Sequence, residues 1–206
     1  MTNLASEFSA DDVEVIERRE LHRRFLRVDL ITLKHRLHEG GWLGPMDREV
    51  MIREQAVGVL LYDPRRNEIV MVRQFRVGVL DEKHSPWLLE LVAGMVDTDE
   101  SPMEVATREC REEADLVPAD LIKICEYYNS PGASNEKVTL FCGRVDAGQA
   151  GGIFGLDEEH EDIEVVTLSV DEACAAVANG LIDNAMSIIA IQWLQLNQVD
   201  LQTRWS

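Results

Sequence analysis

The sequence contains no apolar run of eighteen or more residues, so no membrane-spanning helix is expected. Its first ten residues, MTNLASEFSA, lack a basic start followed by an apolar stretch, and no secretory leader is expected there. Cysteine is sparse: Cys110, Cys125, Cys142 and Cys174 are scattered with no CxxC pair. They read as reduced thiols of a cytoplasmic protein, mostly filling core. No internal repeat or low-complexity tract is present. Positive charge is scarce as well, with 20 Lys and Arg against 38 Asp and Glu and a formal net charge of −18. A field of that sign disfavours nucleic-acid backbones and anionic membranes as partners. It also means that a phosphorylated ligand needs divalent cations or local arginines to be accepted.

What is present suits a globular chain. Its 206 residues allow one ordinary domain with a smaller appendage, and 46% hydrophobic with 28% charged residues is a globular balance. From residue 11 to about 50 the patterns VEVIERREL and FLRVDLITLKHRL alternate and end at a glycine-rich break, which predicts a small antiparallel sheet. The character changes near residue 54, dividing the chain into an expected N-terminal β-domain, 1–53, and a larger domain, 54–206. AVGVLLYD and EIVMVRQFR flank the turn-rich DPRRN and read as a hairpin of buried strands. WLLELVAGM reads as one further strand, and LIKICEYY and KVTLFCGRV as two more. SVDEACAAVANG, ending at Gly180, and NAMSIIAIQWLQLN read as helices. Strands and helices interleave without βαβ regularity, which predicts an α/β sandwich of mixed sheet between helices.

One stretch carries chemistry: GMVDTDESPMEVATRECREEADL, residues 94–116. Ser101 with Glu104 three later forms a capping box, and Pro102 suits the first helical position. Met103, Ala106, Cys110 and Ala114 recur at three and four, giving an apolar stripe, with the carboxylates expected away from it. Glu109, Glu112 and Glu113 crowd near one side of the helix, and like charges that close repel unless something cationic sits among them. A solvated, glutamate-rich helix is the ordinary reading of such a segment. The spacing of Gly94, Glu100, Arg108, Glu109, Cys110, Glu112, Glu113 and Leu116, however, resembles the Nudix hydrolase signature. Asp115 stands where that pattern has glycine, at a position expected to take a left-handed, helix-ending conformation that Asp tolerates.

The resemblance extends through DVEVIERREL, REV, RQFR, SPWLLELVAGM, NSPG, GLDEEHEDI and IDNAMSIIAIQWLQL, nearly the full length. These segments are similar to the bacterial ADP-ribose pyrophosphatase subfamily, marked also by Pro131, fifteen residues after Leu116. The resemblance implies a Nudix α/β/α sandwich with an N-terminal β-domain that dimerises and clasps adenosine. It implies hydrolysis of ADP-ribose to AMP and ribose 5-phosphate with Mg²⁺, Mn²⁺ being the alternative ion. Glu109, Glu113 and the Ala93 carbonyl are the implied metal ligands, with Glu161 an additional one and Glu112 assisting. Arg108 is expected to orient these glutamates through ion pairs. Glu159, in the acidic run 156–162, is the implied general base, with neighbouring Glu158 close enough to compete; without the resemblance that run is a solvated loop. Arg76 resembles an arginine on the diphosphate or terminal ribose. Phe25, Arg48, Ser130 and Pro131 resemble the adenosine pocket, with core packing the other reading of Phe25. Two rivals remain: a sibling enzyme for another nucleoside diphosphate sugar such as GDP-mannose, and a non-catalytic ADP-ribose-sensing Nudix protein. The intact RECREE core and acidic loop argue against the second.

Overall fold

The computed structural model describes residues 4–81, 85–96, 99–156 and 160–205. The chain divides into two compact units, Met1–Arg53 with Tyr128–Glu136, and Glu54–Tyr127 with Lys137–Ser206.

The first unit is a three-stranded antiparallel sheet of β1 (Val13–Arg23), β2 (Arg27–Arg36) and β3 (Trp42–Ile52), in that order. Its alternating sequence makes strands, but the sheet encloses almost nothing: Ile31 and Asp29 are its buried strand residues. The carboxylate of Asp29 is held by Arg27 through paired hydrogen bonds of 2.9 and 2.8 Å. Segment 128–136 joins this unit through backbone and side-chain bonds. Met51 N–H donates to Ala133 O at 2.8 Å, and Arg53 and the Asn135 side chain exchange two hydrogen bonds of 2.7 and 3.0 Å.

The second unit contains β4 (Gln55–Asp63), β5 (Glu68–Phe75), β6 (Trp87–Glu90), β7 (Val92–Val96), α1 (Pro102–Ala114), β8 (Leu121–Tyr128), β9 (Lys137–Arg144), β10 (Gly152–Phe154), β11 (Ile163–Ser169), α2 (Val170–Ala178) and α3 (Ala185–Trp205). The sheet runs β10-β11-β5-β4-β9-β8, with β6 on β5 and β7 on β4. β4 and β9 are parallel while β4–β5, β4–β7 and β5–β11 are antiparallel, so the sheet is mixed. Alternate residues of β4 and β5 feed two cores. Leu60, Tyr62, Ile69 and Met71 meet Ala173 of α2 and Ile191 and Leu194 of α3. Val59, Leu61, Val70 and Val72 meet Val105, Ala106 and Cys110 of α1 on the other face. Helices on both faces explain why AVGVLLYD is apolar without alternation, and they make this unit the expected α/β/α sandwich.

Four details differ from the sequence reading. WLLELVAGM is two strands rather than one, because β6 pairs with β5 and β7 with β4, with Leu91 between them. β10 and β11 have no counterpart among the expected strands. α3 continues to Trp205, held by buried Leu201 and Trp205 beyond the apolar run. Met103 is half exposed and Val105 takes its expected place in the stripe.

Candidate active site

α1 is fixed at both ends by its own sequence. The Ser101 hydroxyl accepts from Glu104 N–H, the Glu104 carboxylate accepts from Ser101 N–H at 2.8 Å, and Pro102 opens the helix. At the other end Asp115 adopts the left-handed conformation expected of it, φ 51° and ψ 33°. Cys110 and Ala114 lock one side of the helix to the sheet, which fixes where Glu109, Glu112 and Glu113 point.

Glu113 does not lie away from the buried stripe, as the periodicity suggests. It is only 3% exposed, and its Oε2 accepts the Ala93 N–H of β7 at 3.0 Å. Glu109 stands one turn earlier, next to Gly94. A Cβ at Gly94 would overlap the Glu109 carboxylate, so glycine is required there for room. Arg108 sits among the acids: Nη1 is 2.9 Å from Glu109 Oε1 and 2.8 Å from Glu112 Oε2, and Nε is 3.2 Å from Glu100 Oε2. Burial opposes the arginine's charge, but Glu109, Glu112 and Glu100 outweigh it and hold the guanidinium firmly protonated.

The carboxylates remain under-compensated. Burial, only partly offset by Arg108, pushes the Glu109 carboxyl up to about 7. Burial raises Glu113 to about 8 against the opposing Ala93 hydrogen bond. The negative charge of Glu161 adds to both shifts, and the positive charge of Arg76 works against the rise at Glu113. The C-terminal half of a helix, with its partial negative charge, is also an unfavourable place for acids.

Oxygen donors without histidine or cysteine, too buried to stay charged alone, are chemically suited to a hard divalent cation. Among the described residues no three acidic, histidine or cysteine side chains converge at ligating distance. The reason is visible in the geometry: Glu109 is turned to Arg108 and Glu113 to the Ala93 amide. The donors are neighbours whose side chains must rotate to share an ion, and the donor set fits one.

The remaining expected residues divide between the units. Arg76, just past β5, donates from Nε to Glu90 Oε2 at 2.7 Å. Glu161 is half-buried and its Oε2 accepts from Leu156 N–H at 3.2 Å. Glu158 and Glu159 lie outside the described residues. In the first unit, Phe25 is 81% exposed in the bend between β1 and β2, rather than inside a strand, and it is not core. The Arg53 guanidinium lies 5.5 Å from its ring centre. Arg48 on β3 donates to its neighbour's carbonyl, Asp47 O, at 2.8 Å. The carbonyl of Ser130 closes the turn that contains Pro131, accepting from Ala133 and Ser134 N–H. Phe25, Arg48, Ser130 and Pro131 therefore belong to one unit.

Glu90 and the pairing role of Glu100 escape the sequence reading. Glu100 is a fixed position of the pattern, but nothing local shows that it reaches Arg108 eight residues on. The partner of Arg76 depends on β6 folding beside β5.

The fold and carboxylate helix define a class that comparison with known proteins makes explicit. The family model for the NUDIX domain matches residues 52–205, and the chain belongs to the Nudix family. It is similar to the ADP-ribose pyrophosphatase of Haemophilus influenzae, at 42% identity over 201 residues covering 96% of this chain and 93% of the relative. It is also similar to the GDP-mannose pyrophosphatase of Cronobacter sakazakii, at 34% identity over 157 residues, 74% of this chain and 79% of that protein. A crystal structure of an ADP compounds hydrolase superposes with a TM-score of 0.69, covering 93% of this chain and 98% of its own. At 18% identity, that likeness shows the fold alone.

Proposed function

We propose that this chain hydrolyses the diphosphate bond of ADP-ribose, giving AMP and ribose 5-phosphate, with a divalent cation. The observation that carries the reading is the pair of buried, charge-starved carboxylates Glu109 and Glu113, packed against Ala93 and Gly94. ADP-ribose is preferred to GDP-mannose as substrate because the similarity to the ADP-ribose pyrophosphatase is higher and extends through the N-terminal sheet.

Glu109, Glu113 and the Ala93 carbonyl, with Glu161, would hold the ion, Mg²⁺ in the first instance and Mn²⁺ as the alternative. When bound, the cation neutralises phosphate charge and acidifies a water for attack on phosphorus. The protein's own groups do the rest. Arg76, steadied by Glu90, offers a forked donor to the diphosphate. Arg108 keeps Glu109 and Glu112 aligned through its ion pairs. Glu159 takes the proton of the attacking water as general base, Glu112 being the reserve candidate on the helix.

Phe25 and Arg48, with Ser130 and Pro131, hold the adenosine, and the N-terminal unit mediates a homodimer. The free cysteines suit a cytoplasmic setting, and no helix of the described residues is long and apolar enough to cross a membrane.

The test is a substrate panel of ADP-ribose and GDP-mannose with and without Mg²⁺, read by product chromatography. AMP and ribose 5-phosphate formed only with metal, and faster than GDP-mannose is cleaved, are expected. Faster GDP-mannose cleavage moves the assignment to the sibling activity, and binding without turnover moves it to a sensor.

A further inference from the structure

The second unit has a cavity of about 760 Å³ displaced along β4 from the strand residues that meet the carboxylates. Ala93 pairs with Gly58 on β4, and the cavity begins at Asp63, further along the same strand by about 16 Å at strand rise. Its walls are the DPRR turn after β4, the residues that end α1, the end of β9 and Trp205 of α3.

The lining contains three arginines, Arg65, Arg66 and Arg144, and three aspartates, Asp63, Asp115 and Asp146. Equal numbers conceal unequal commitments. Asp63 Oδ1 accepts from the N–H groups of Arg65 and Arg66 at 2.9 and 3.2 Å, and its Oδ2 accepts from Ala147 N–H at 2.9 Å. Asp146 is likewise occupied, by Gly148 N–H and Gln149 Nε2, each at 3.0 Å. These two carboxylates are engaged by donors of their own turns and, for Asp63, also by the Ala147 amide that follows β9.

The guanidinium groups are held less closely. Among the described residues none of the three donates a side-chain hydrogen bond. Only Arg66 has carboxylates in ion-pair range, at 3.7 Å from Asp63 and 3.9 Å from Asp146, too far for a hydrogen bond. A guanidinium carries several N–H donors in a rigid fork matched to phosphate oxygens. Leu116, Val117 and Trp205 supply an apolar wall beside them. The volume falls within the range of about 300–1,000 Å³ typical of small-molecule sites.

We propose that this cavity is a second ligand site, separate from the carboxylate cluster, for a phosphomonoester of nucleotide size. Its phosphate meets Arg65, Arg66 and Arg144, and its body lies against Leu116 and Val117. The site also touches the catalytic helix, because Asp115 and Leu116 close the C-terminal end of α1 by donating to Arg111 O and Cys110 O. It stands whichever substrate the carboxylate site prefers.

The experiment titrates AMP calorimetrically into the full chain as wild type, as Arg76→Ala to weaken the other phosphate site, and as Arg66→Ala/Arg144→Ala. An AMP-binding class that survives in Arg76→Ala is expected to weaken on the order of tenfold or more in the double variant, as loss of charge-assisted hydrogen bonds implies. Arg65→Gln should weaken it in the same direction by less. Adenosine, without the phosphate, should not fill it. The double variant should keep its Tm and its hydrolysis rate in the absence of AMP. The proposal is overturned if no AMP class survives in Arg76→Ala, if that class is unchanged in the double variant, or if inorganic phosphate fills it as tightly as AMP.

Discussion

The two units use apolar residues in opposite ways. The second buries them in two cores, one on each face of its sheet. The first leaves Val13, Val15, Ile16, Leu21, Trp42 and Leu43 exposed along its strands, and Phe25 in the bend between two of them. A three-stranded sheet needs a covered hydrophobic face for independent stability, and strand patterning alone does not supply one. The second unit therefore places its functional groups through its own packing, whereas the exposed groups of the first are left available for another role. Under the proposed function that role is adenosine binding and dimer formation. Substitutions in the second unit should accordingly act on chemistry, and those on the exposed surface of the first on binding.

The largest effect is expected at Glu113. Glu113→Gln should lower kcat on the order of a hundredfold or more, since it removes a cation ligand that supports charge stabilisation in the transition state. Its Tm should hold or rise without metal, because folding near neutral pH no longer has to protonate a buried carboxyl. Near-wild-type turnover in the folded variant would place the chemistry elsewhere.

Gly94→Ala should follow closely. The added Cβ displaces the Glu109 carboxylate, and a misplacement of about 1 Å at a reacting centre can cost on the order of a hundredfold. Steady-state kinetics beside a melting curve would separate this from unfolding. A variant with normal kcat would mean that Glu109 can move without consequence.

Phe25→Ala sharpens the comparison from the other side. Stacking of a base on an aromatic ring contributes roughly 1–3 kcal/mol, so KM for ADP-ribose should rise about tenfold with kcat and Tm nearly unchanged. A lower Tm with unchanged KM would make Phe25 a structural residue despite its exposure.

Stability against pH separates the units in a different way, without touching turnover. Glu109 and Glu113 titrate near 7 and 8 when folded, against 4.5 for an ordinary glutamate. Through that window the folded state binds more protons than the unfolded chain, so metal-free stability should fall as pH rises from about 4.5 to 8. Melting curves across this range should show the decline, and Glu113→Gln should flatten it.

The parts of this molecule that are legible in the sequence are those fixed by neighbours along the chain. The Ser101–Glu104 cap, Pro102 and the left-handed Asp115 are local, and each stands as expected. The Nudix spacing is local too, and the family and sandwich follow from it. What is not legible depends on distant strands. Glu113 is buried because β7 passes beside α1, and Glu90 reaches Arg76 because β6 pairs with β5. The split of WLLELVAGM at Leu91 likewise arises from two different pairing partners. Phe25 stays undecided between core and surface in the sequence, because an alternating strand does not state which of its faces is covered.

Whether a divalent cation resolves the crowding of Glu109 and Glu113 is the point on which the proposed chemistry stands. The most direct measurement is Mn²⁺ binding to the metal-free protein at pH 7 by titration calorimetry in buffers of different ionisation enthalpy. Because these carboxyls are raised to about 7 and 8, binding should release on the order of one proton per chain, and Glu109→Gln/Glu113→Gln should abolish both the binding and the release. Tight binding that persists in the double variant, or binding with no proton released, would contradict a cation held by these two carboxylates.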